Sequence, residues 1–195
     1  MMKKKSRKTI ILEVLARELE TKPGNRITTA SLAKAVGVSE AALYRHFASK
    51  AQIFEGLIEF AEETIFSNIN VILEEEKHTQ VRCGKIIYLV LRFADRNPGI
   101  IRILLGDILI GEQKRLRDRT SNFFERVEYT IKQVLKESSL RKDSNLRMKP
   151  DAGSDLITSF IEGRLHKYQR LNFIEPSLTN WDDDWAALSK GLFFL

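Results

Sequence analysis

The chain has 195 residues, of which 43% are hydrophobic and 30% are charged, a composition typical of globular rather than disordered proteins. No hydrophobic stretch approaches the roughly 18 residues that a membrane-spanning helix requires, so we predict no membrane anchor. The single cysteine, Cys83, has no partner for an intramolecular disulfide, which favours a cytoplasmic protein.

The positive charge is concentrated near the N-terminus. Residues 1–58 contain 11 basic and 5 acidic residues, whereas the remaining residues contain 21 of each sign, so this segment accounts for the whole net charge of +6. A basic module attached to a neutral body indicates binding to nucleic acid or, less often, to an anionic membrane surface.

The first predicted element is an amphipathic helix over residues 9–21, where hydrophobic residues recur at spacings of three and four. A turn over residues 22–25 should end it, because proline and glycine together interrupt helices.

Two short helices are predicted next. One begins at Thr28 or Thr29 and ends at Gly37, where a tight turn favours a positive φ. Ser39 can cap the N-terminus of the following helix, which we expect to end near Phe47. Two short helices that meet across a glycine are typical of a helix-turn-helix.

A longer helical body follows. Residues 49–52 form a predicted capping box that opens a helix reaching about Glu74. Further helices are predicted over residues 79–96, 100–105, 108–138, 151–171 and 181–193, with a polar loop over residues 140–150. The expected fold is all-α with about nine helices: a three-helix helix-turn-helix domain for DNA binding, residues 1–48, and a larger helical domain, residues 49–195.

The second short helix carries the candidate DNA-reading surface. Leu43 and Phe47 lie one turn apart and should face the core, which leaves Glu40, Ala41, Tyr44 and Arg45 on the solvent side. That face can enter a major groove, where Arg45 can donate two hydrogen bonds to guanine. Phosphate contacts are expected from Tyr44, His46 and Lys50, and from helix N-termini near Thr28, Thr29 and Ser39. The alternative is an ordinary helical hairpin with a solvated polar face.

Residues 28–54, TTASLAKAVGVSEAALYRHFASKAQIF, resemble the DNA-binding domain of TetR-type regulators, including the core Leu-Tyr-x-His-Phe-x-Ser-Lys. The resemblance covers about residues 9–58. It implies a homodimer on palindromic double-stranded DNA, in which Tyr44, His46 and Lys50 chiefly hold the phosphate backbone and residues 49–195 form the dimerisation and partner-binding domain.

A closer resemblance, to a branch of that family that acts in cell division as nucleoid occlusion factors, extends along the chain. It is carried by residues 26–30, 36–47, 57–60, 69–73, 96–99, 102–104 and 124–126. It implies a nucleoid-associated cytoplasmic protein that, bound to specific chromosomal sites, engages the C-terminal tail of FtsZ and blocks septum assembly over the nucleoid.

The same resemblance implies a partner surface on the two helices after the DNA-binding domain. The matching positions are Phe60, Leu89, Arg96 and Asn97. Two positions depart from the pattern: Asn68 replaces the usual basic residue and Arg92 the usual glycine. An apolar groove with a cationic rim suits a short tail of apolar and acidic residues. The alternative is that Phe60 and Leu89 belong to the core.

A different class of function is a transcriptional repressor that responds to a small ligand, with Phe123 and Phe124 lining a cavity, although core packing is the more ordinary role for them. An enclosed cavity would favour the repressor and an exposed groove the division factor. No motif indicates an enzyme, a cofactor or a metal site. Four C-terminal aromatic residues are expected at the dimer interface: Tyr168, Phe173, Trp181 and Trp185.

Overall fold

A computed structural model describes residues 6–22 and 27–194, apart from the side chain of Ser139. The chain folds as two compact units. The first comprises the described residues up to Glu62 together with residues 97–120, and the second comprises residues 63–96 and the described residues from Ser121 onward. The predicted turn at residues 23–25 lies outside the described residues.

The first unit begins with the three predicted N-terminal helices. They are α1 (Arg7–Thr21), α2 (Thr29–Val36) and α3 (Glu40–Tyr44). Ser6 caps α1, since its side chain accepts a hydrogen bond from the Thr9 amide at 3.1 Å. Ile11, Leu15 and Leu19 are the buried face of α1, in the predicted helical spacing.

Gly37 produces the turn between α2 and α3. Its φ of +76° is in the left-handed region, which glycine adopts without steric cost. The Val38 amide donates to Ala33 O at 3.0 Å and the Gly37 amide to Lys34 O at 3.2 Å, which closes a Schellman motif. The predicted helix-turn-helix is therefore present, with its glycine in the predicted conformation.

The long helix α4 (Lys50–Glu75) is divided between the units. The predicted capping box is only partly present: the Gln52 amide donates to Ser49 Oγ at 3.3 Å, but Gln52 Oε1 accepts from the Ala48 amide at 2.9 Å instead of from Ser49. The rest of the first unit contains α6 (Pro98–Leu104), a 3-10 turn (Asp107–Leu109) and the start of α7 (Lys114–Arg141).

Helix α7 begins six residues later than the predicted start at residue 108. Gly106 and Gly111 both have positive φ, +80° and +81°, and interrupt the helical backbone conformation between α6 and α7. The hydrophobic pattern of residues 108–110 suggested helix, but the two left-handed glycines around it do not permit a continuous one.

The second unit is built on α5 (Thr79–Arg96), whose bounds are those predicted. The buried side of α5 includes Ile86, Ile87 and Val90. Helices α8 (Pro150–Arg170) and α9 (Trp181–Leu192) pack against α5. The prediction of an all-α fold is confirmed, with nine α-helices among the described residues.

A small antiparallel sheet was not predicted. Strand β1 (Asn145–Leu146) pairs with β2 (Phe193–Phe194), so residues 140–150 are not wholly loop and the last helix ends at Leu192. Arg147 donates from Nε to Phe193 O at 2.9 Å and places its guanidinium 4.4 Å from the Phe194 ring centre. Strands of two residues carry no periodicity that a sequence pattern can reveal.

Candidate nucleic-acid interface and partner groove

Helix α3 separates the core side chains from the candidate reading face as predicted. Leu43 is fully buried and Phe47 is buried. Glu40, Ala41, Tyr44 and Arg45 are exposed. Ser39 caps the helix, because its Oγ accepts from the Ala42 amide at 3.2 Å. The exposed set agrees with a DNA-reading surface, and its contacts with bases stay a prediction.

The helix is shorter than predicted, ending at Tyr44 and not near Phe47. The Arg45 amide donates to Ala41 O at 3.3 Å, but the His46 amide donates back only three residues, to Leu43 O at 3.0 Å. The final turn is therefore tightened in the manner of a 3-10 helix. Arg45 occupies the C-terminal cap of α3 instead of its middle.

The N-termini of α2 and α3 are joined by a side-chain contact. Thr29 Oγ1 donates to Glu40 Oε2 at 2.9 Å, which links two of the predicted DNA-binding residues. At the start of α2, Thr28 is exposed and its side chain accepts from the Ser31 amide at 3.1 Å. The hydrogen bond from Thr29 holds the Glu40 carboxylate in one orientation at this surface. A carboxylate repels phosphate, so Glu40 is not itself a phosphate contact.

A depression of about 310 Å³ lies between α1 and the helix-turn-helix. Arg45 and His46 line it together with Arg7, from the first turn of α1. Arg7 was not among the predicted site residues, although its position in the basic N-terminal run was a signal. A second neighbouring cation, Lys8, lies 5.7 Å from the Phe47 ring centre.

Lys50, a predicted phosphate contact, is paired with a carboxylate in this structure. Its Nζ is 2.5 Å from Glu112 Oε1, in the segment before α7, and 5.3 Å from the Phe54 ring centre. Neither partner is well exposed, at 22% and 19% of the side-chain surface. Glu112 takes one of the three N–H donors of Lys50 and places a negative charge beside the ammonium group that is predicted to contact a DNA phosphate.

The six predicted partner residues fall into both units. Phe60 and Asn97 belong to the first unit, and Asn68, Leu89, Arg92 and Arg96 belong to the second. Phe60 is 46% exposed, so the alternative that it is a core residue is wrong. Asn97 is half-buried at the N-cap position of α6, immediately before Pro98.

In the second unit, the partner residues on α5 are accessible. Arg92 and Arg96 are exposed and Leu89 is half-buried, so these positions combine an apolar side chain with two cations. Leu89 and Arg92 line an open groove of about 580 Å³ that also includes Tyr88, Trp181 and Trp185. On α4, Asn68 is exposed and its Nδ2 donates to Thr64 O at 2.7 Å.

Phe123 and Phe124 are helix-packing residues in this unit. Phe123 is buried, with its ring centre 5.6 Å from Phe66 and 5.2 Å from Phe124. The guanidinium of Arg126 lies 3.8 Å from the centre of the Phe66 ring. These contacts are those of a packed core.

The C-terminal aromatic residues contact their own chain. Tyr168 is buried, with its ring 4.9 Å from that of Phe173. Trp185 lies against Gly84 of α5, and Trp181 meets Tyr88 at 5.7 Å. That these four residues also form the dimer interface stays a prediction.

Among the described residues, no group of three or more His, Cys, Asp or Glu side chains is placed to hold a metal ion. None of the helices within residues 6–22 and 27–194 is both long and apolar enough to cross a membrane.

A basic, capped helix-turn-helix followed by a helical body defines a class of DNA-binding regulators. Residues 11–57 match the tetR family of bacterial regulatory proteins. Residues 77–193 match the SlmA-like form of the tetracyclin repressor-like C-terminal domain.

Solved structures of this class share the fold at low sequence identity. A TetR transcription regulator from Haloarcula marismortui superposes with a TM-score of 0.79 at 16% identity, covering 96% of this chain and 98% of the other. The regulator FadR from Bacillus subtilis, solved with stearoyl-CoA, gives 0.73 at 13% identity, covering 94% and 98%. At these identities the likeness shows the fold alone.

Curated relatives are much more similar in sequence. The nucleoid occlusion factor SlmA of Alteromonas mediterranea is 50% identical over 189 residues, which cover 97% of each chain. That of Shewanella baltica is 50% identical over 187 residues, covering 96% of this chain and 95% of the other. The chain belongs to the TetR family of bacterial regulatory proteins and, within it, to the SlmA group of nucleoid occlusion factors.

Proposed function

We propose that this protein is a DNA-activated antagonist of cell division. It binds specific palindromic sites on the chromosome as a homodimer and, when bound there, engages the C-terminal tail of FtsZ and blocks septum assembly over the nucleoid. The observation that carries the proposal is 50% identity to nucleoid occlusion factors along nearly the whole of both chains. The protein acts by binding, in the cytoplasm at the nucleoid, and not as an enzyme.

The DNA-binding part of the proposal rests on the first unit. Arg45 reads bases. The proposal is supported by its exposure, together with Glu40, Ala41 and Tyr44, on one face of α3. Tyr44, His46 and Lys50 hold phosphates together with the N-termini of α2 and α3, near Thr28, Thr29 and Ser39. Charge supports the assignment, because the excess of basic over acidic residues lies within residues 1–58.

The FtsZ-binding part rests on exposed or half-buried residues at the expected positions. Phe60 and Leu89 offer apolar contacts, and Arg92 and Arg96 offer charge to an acidic tail. Asn68 on α4 replaces the usual basic residue, and Arg92 on α5 replaces the usual glycine. The predicted surface therefore keeps a positive charge, on α5 instead of α4.

The test is binding of a labelled FtsZ C-terminal tail peptide to the purified full-length protein, with and without its specific duplex. Saturable binding that Phe60→Ala or Arg96→Ala weakens, while DNA affinity is unchanged, supports the proposal. Lys114→Ala is the matched control, because it removes an exposed cation from α7, outside the predicted site. Absence of binding in both conditions would reject this function and favour a ligand-responsive repressor.

A further inference from the structure

The groove in the second unit extends past the predicted partner residues. Its floor and walls come from the end of α4, the accessible face of α5 and the first turns of α9. Ile72, Val81 and Leu89 contribute aliphatic surface, and Tyr88, Trp181 and Trp185 contribute aromatic surface. The lining is mainly apolar, as in sites that bind an apolar side chain of a partner.

The three aromatic rings form a continuous wall. Trp181 and Trp185 are stacked, with ring centres 5.9 Å apart and an interplanar angle of 8°. The edge of Tyr88 meets Trp181 at 5.7 Å. The Trp185 ring packs directly on Gly84 of α5. A Cβ at that position would lie only 2.9 Å from the ring, so this close contact requires glycine.

This wall remains accessible to solvent. Tyr88 is 43% exposed, Val81 is also exposed, and both tryptophans are half-buried. Rigid aromatic side chains in a partly open groove can bury a large apolar area with little loss of conformational entropy. The wall is therefore suited to a hydrophobic anchor.

The charge of the groove selects among possible anchors. Lys85 and Arg92 line it and lie on the same side of α5 as Val81 and Tyr88, at helical spacing. Lys85 makes an ion pair of 3.0 Å with Glu76, and Arg92 is exposed. Two cations beside an aromatic wall favour an apolar side chain flanked by acidic residues.

The groove is continuous with the proposed FtsZ-binding surface, because Leu89 and Arg92 belong to both. We propose that Tyr88, Trp181 and Trp185 form an aromatic subsite that receives an apolar side chain of the bound acidic tail and extends the site from α5 onto α9. The inference rests on the proposed function and assigns a role in partner selection to residues outside the predicted set.

Intrinsic fluorescence provides a direct test, because Trp181 and Trp185 are the only two tryptophans in the chain. A tryptophan-free FtsZ tail peptide is titrated into the full-length protein with its specific duplex. We expect the tryptophan emission to change and to saturate in parallel with binding measured by the anisotropy of a labelled peptide.

Substitutions separate this subsite from the rest of the surface. Trp181→Ala and Tyr88→Ala should each weaken peptide binding by about tenfold or more without changing DNA affinity, and Trp181→Phe should restore part of it. Tyr88→Ala removes an accessible ring, so it leaves the core intact. Tyr129→Ala is the control, since Tyr129 is exposed on α7 and outside the groove.

The outcomes distinguish this inference from the proposed function. Peptide binding with constant tryptophan emission and wild-type affinity in Tyr88→Ala would overturn the aromatic subsite and leave the proposed function standing. No peptide binding under any condition would reject both. Conversion of the dimer to monomer by Trp181→Ala and Tyr88→Ala would show that a second copy of the chain covers the groove, and would also overturn the subsite.

Discussion

Lys50 is held by Glu112, a residue 62 positions away in the sequence, at 2.5 Å. In a TetR-type domain the position of Lys50 suits a DNA phosphate, so the carboxylate and the phosphate compete for one ammonium group. A partly exposed ion pair of this kind contributes about 0.2–1 kcal/mol. We therefore expect Glu112 to oppose DNA binding by an amount of that order.

Glu112→Gln should tighten DNA binding by up to about fivefold, because it removes a negative charge that repels the phosphate and partly neutralises Lys50. Lys50→Ala should weaken binding to all sequences and reduce the salt slope by about one unit. Both are measured by fluorescence anisotropy with labelled duplex at several salt concentrations. Glu62→Gln, which breaks the pair with Arg119 instead, is the control. Equal affinities for Glu112→Gln and wild type would show that the pair does not compete with DNA.

Arg45 is exposed at the C-terminal cap of α3, beside His46 and Arg7. If it donates two hydrogen bonds to a guanine, Arg45→Ala should weaken specific binding by about 1–3 kcal/mol and relax the preference at that base pair. Competition with duplexes substituted at each position measures both effects. A uniform loss across all duplexes would instead place Arg45 at a phosphate.

Cys83 is fully buried on α5. Burial, with a smaller effect of Asp143 in the same direction and of Arg82 in the opposite one, raises the pKa of its thiol to about 12. The raised value favours the neutral thiol in the folded state. The neutral thiol therefore contributes fully to the stability of the folded state below about pH 9, the pKa of the thiol in the unfolded chain. This contribution is lost as the pH rises towards 12.

We expect Cys83 to react with a thiol reagent at pH 8 only as fast as the protein opens, because the thiolate is the reactive form. The reaction with Ellman's reagent is followed with and without urea, and Cys83→Ala supplies the blank. The free energy of unfolding should fall more steeply between pH 9 and pH 11 in the wild type than in Cys83→Ala. Rapid labelling of the native protein would contradict the burial.

At the scale of elements, α1 and α6 make an unusually close contact in the first unit. A Cβ at Gly99 would overlap the carbonyl oxygen of Ala16, so the α6 backbone touches that of α1. Arg102, also on α6, donates to Leu19 O at 2.9 Å and to Asp107 at 2.8 Å. The buried guanidinium thus satisfies a carbonyl at the C-terminal end of α1.

Gly99→Ala should lower the free energy of unfolding by about 1–3 kcal/mol, because a backbone carbonyl cannot move aside as a side chain can. Gly56→Ala is the matched control: its added Cβ would meet the flexible Leu12 side chain at 3.0 Å, and alanine also favours the helix. Urea denaturation followed by circular dichroism, at equal protein concentrations, measures the difference. Similar midpoints for the two variants would mean that α1 and α6 can separate at little cost.

At the scale of the whole molecule, membership of the TetR family implies a dimer. An accessible stripe runs along α8 at helical spacing, consisting of Ala152, Leu156, Ser159, Gly163 and His166. Leu156 is the large apolar residue in it, and a Cβ at Gly163 would touch nothing in its own chain. Small residues around one leucine permit close packing of a second helix, so we predict that this stripe takes part in the dimer contact.

Leu156→Glu should convert the dimer to monomer, because two carboxylates would be buried at a self-complementary interface. Affinity for a palindromic duplex should fall with it, whereas the helical content should be retained. Sedimentation velocity and DNA titration measure these quantities, with Tyr129→Phe, on a different helix, as the control. A persistent dimer would place the interface elsewhere.

The sequence alone determined the features that depend on local interactions. The Ser39 cap, the left-handed Gly37 and the helix over residues 79–96 follow from spacing and from residues within one or two turns. The exposed face of α3 followed from the same periodicity. The resemblance of residues 28–54 to one family then supplied the fold class, which the structure and the comparisons confirm.

Only the tertiary structure decided which distant side chains meet. Three examples depend on how segments remote in sequence pack together. They are the pairing of Lys50 with Glu112, the packing of Trp185 on Gly84 and the exposure of Phe60. Hydrophobic periodicity indicates that a residue has an apolar environment, but it does not identify the residue's packing partner. Long-range packing selects that partner, and here it placed Trp181 against Tyr88 and Trp185 against Gly84 of α5.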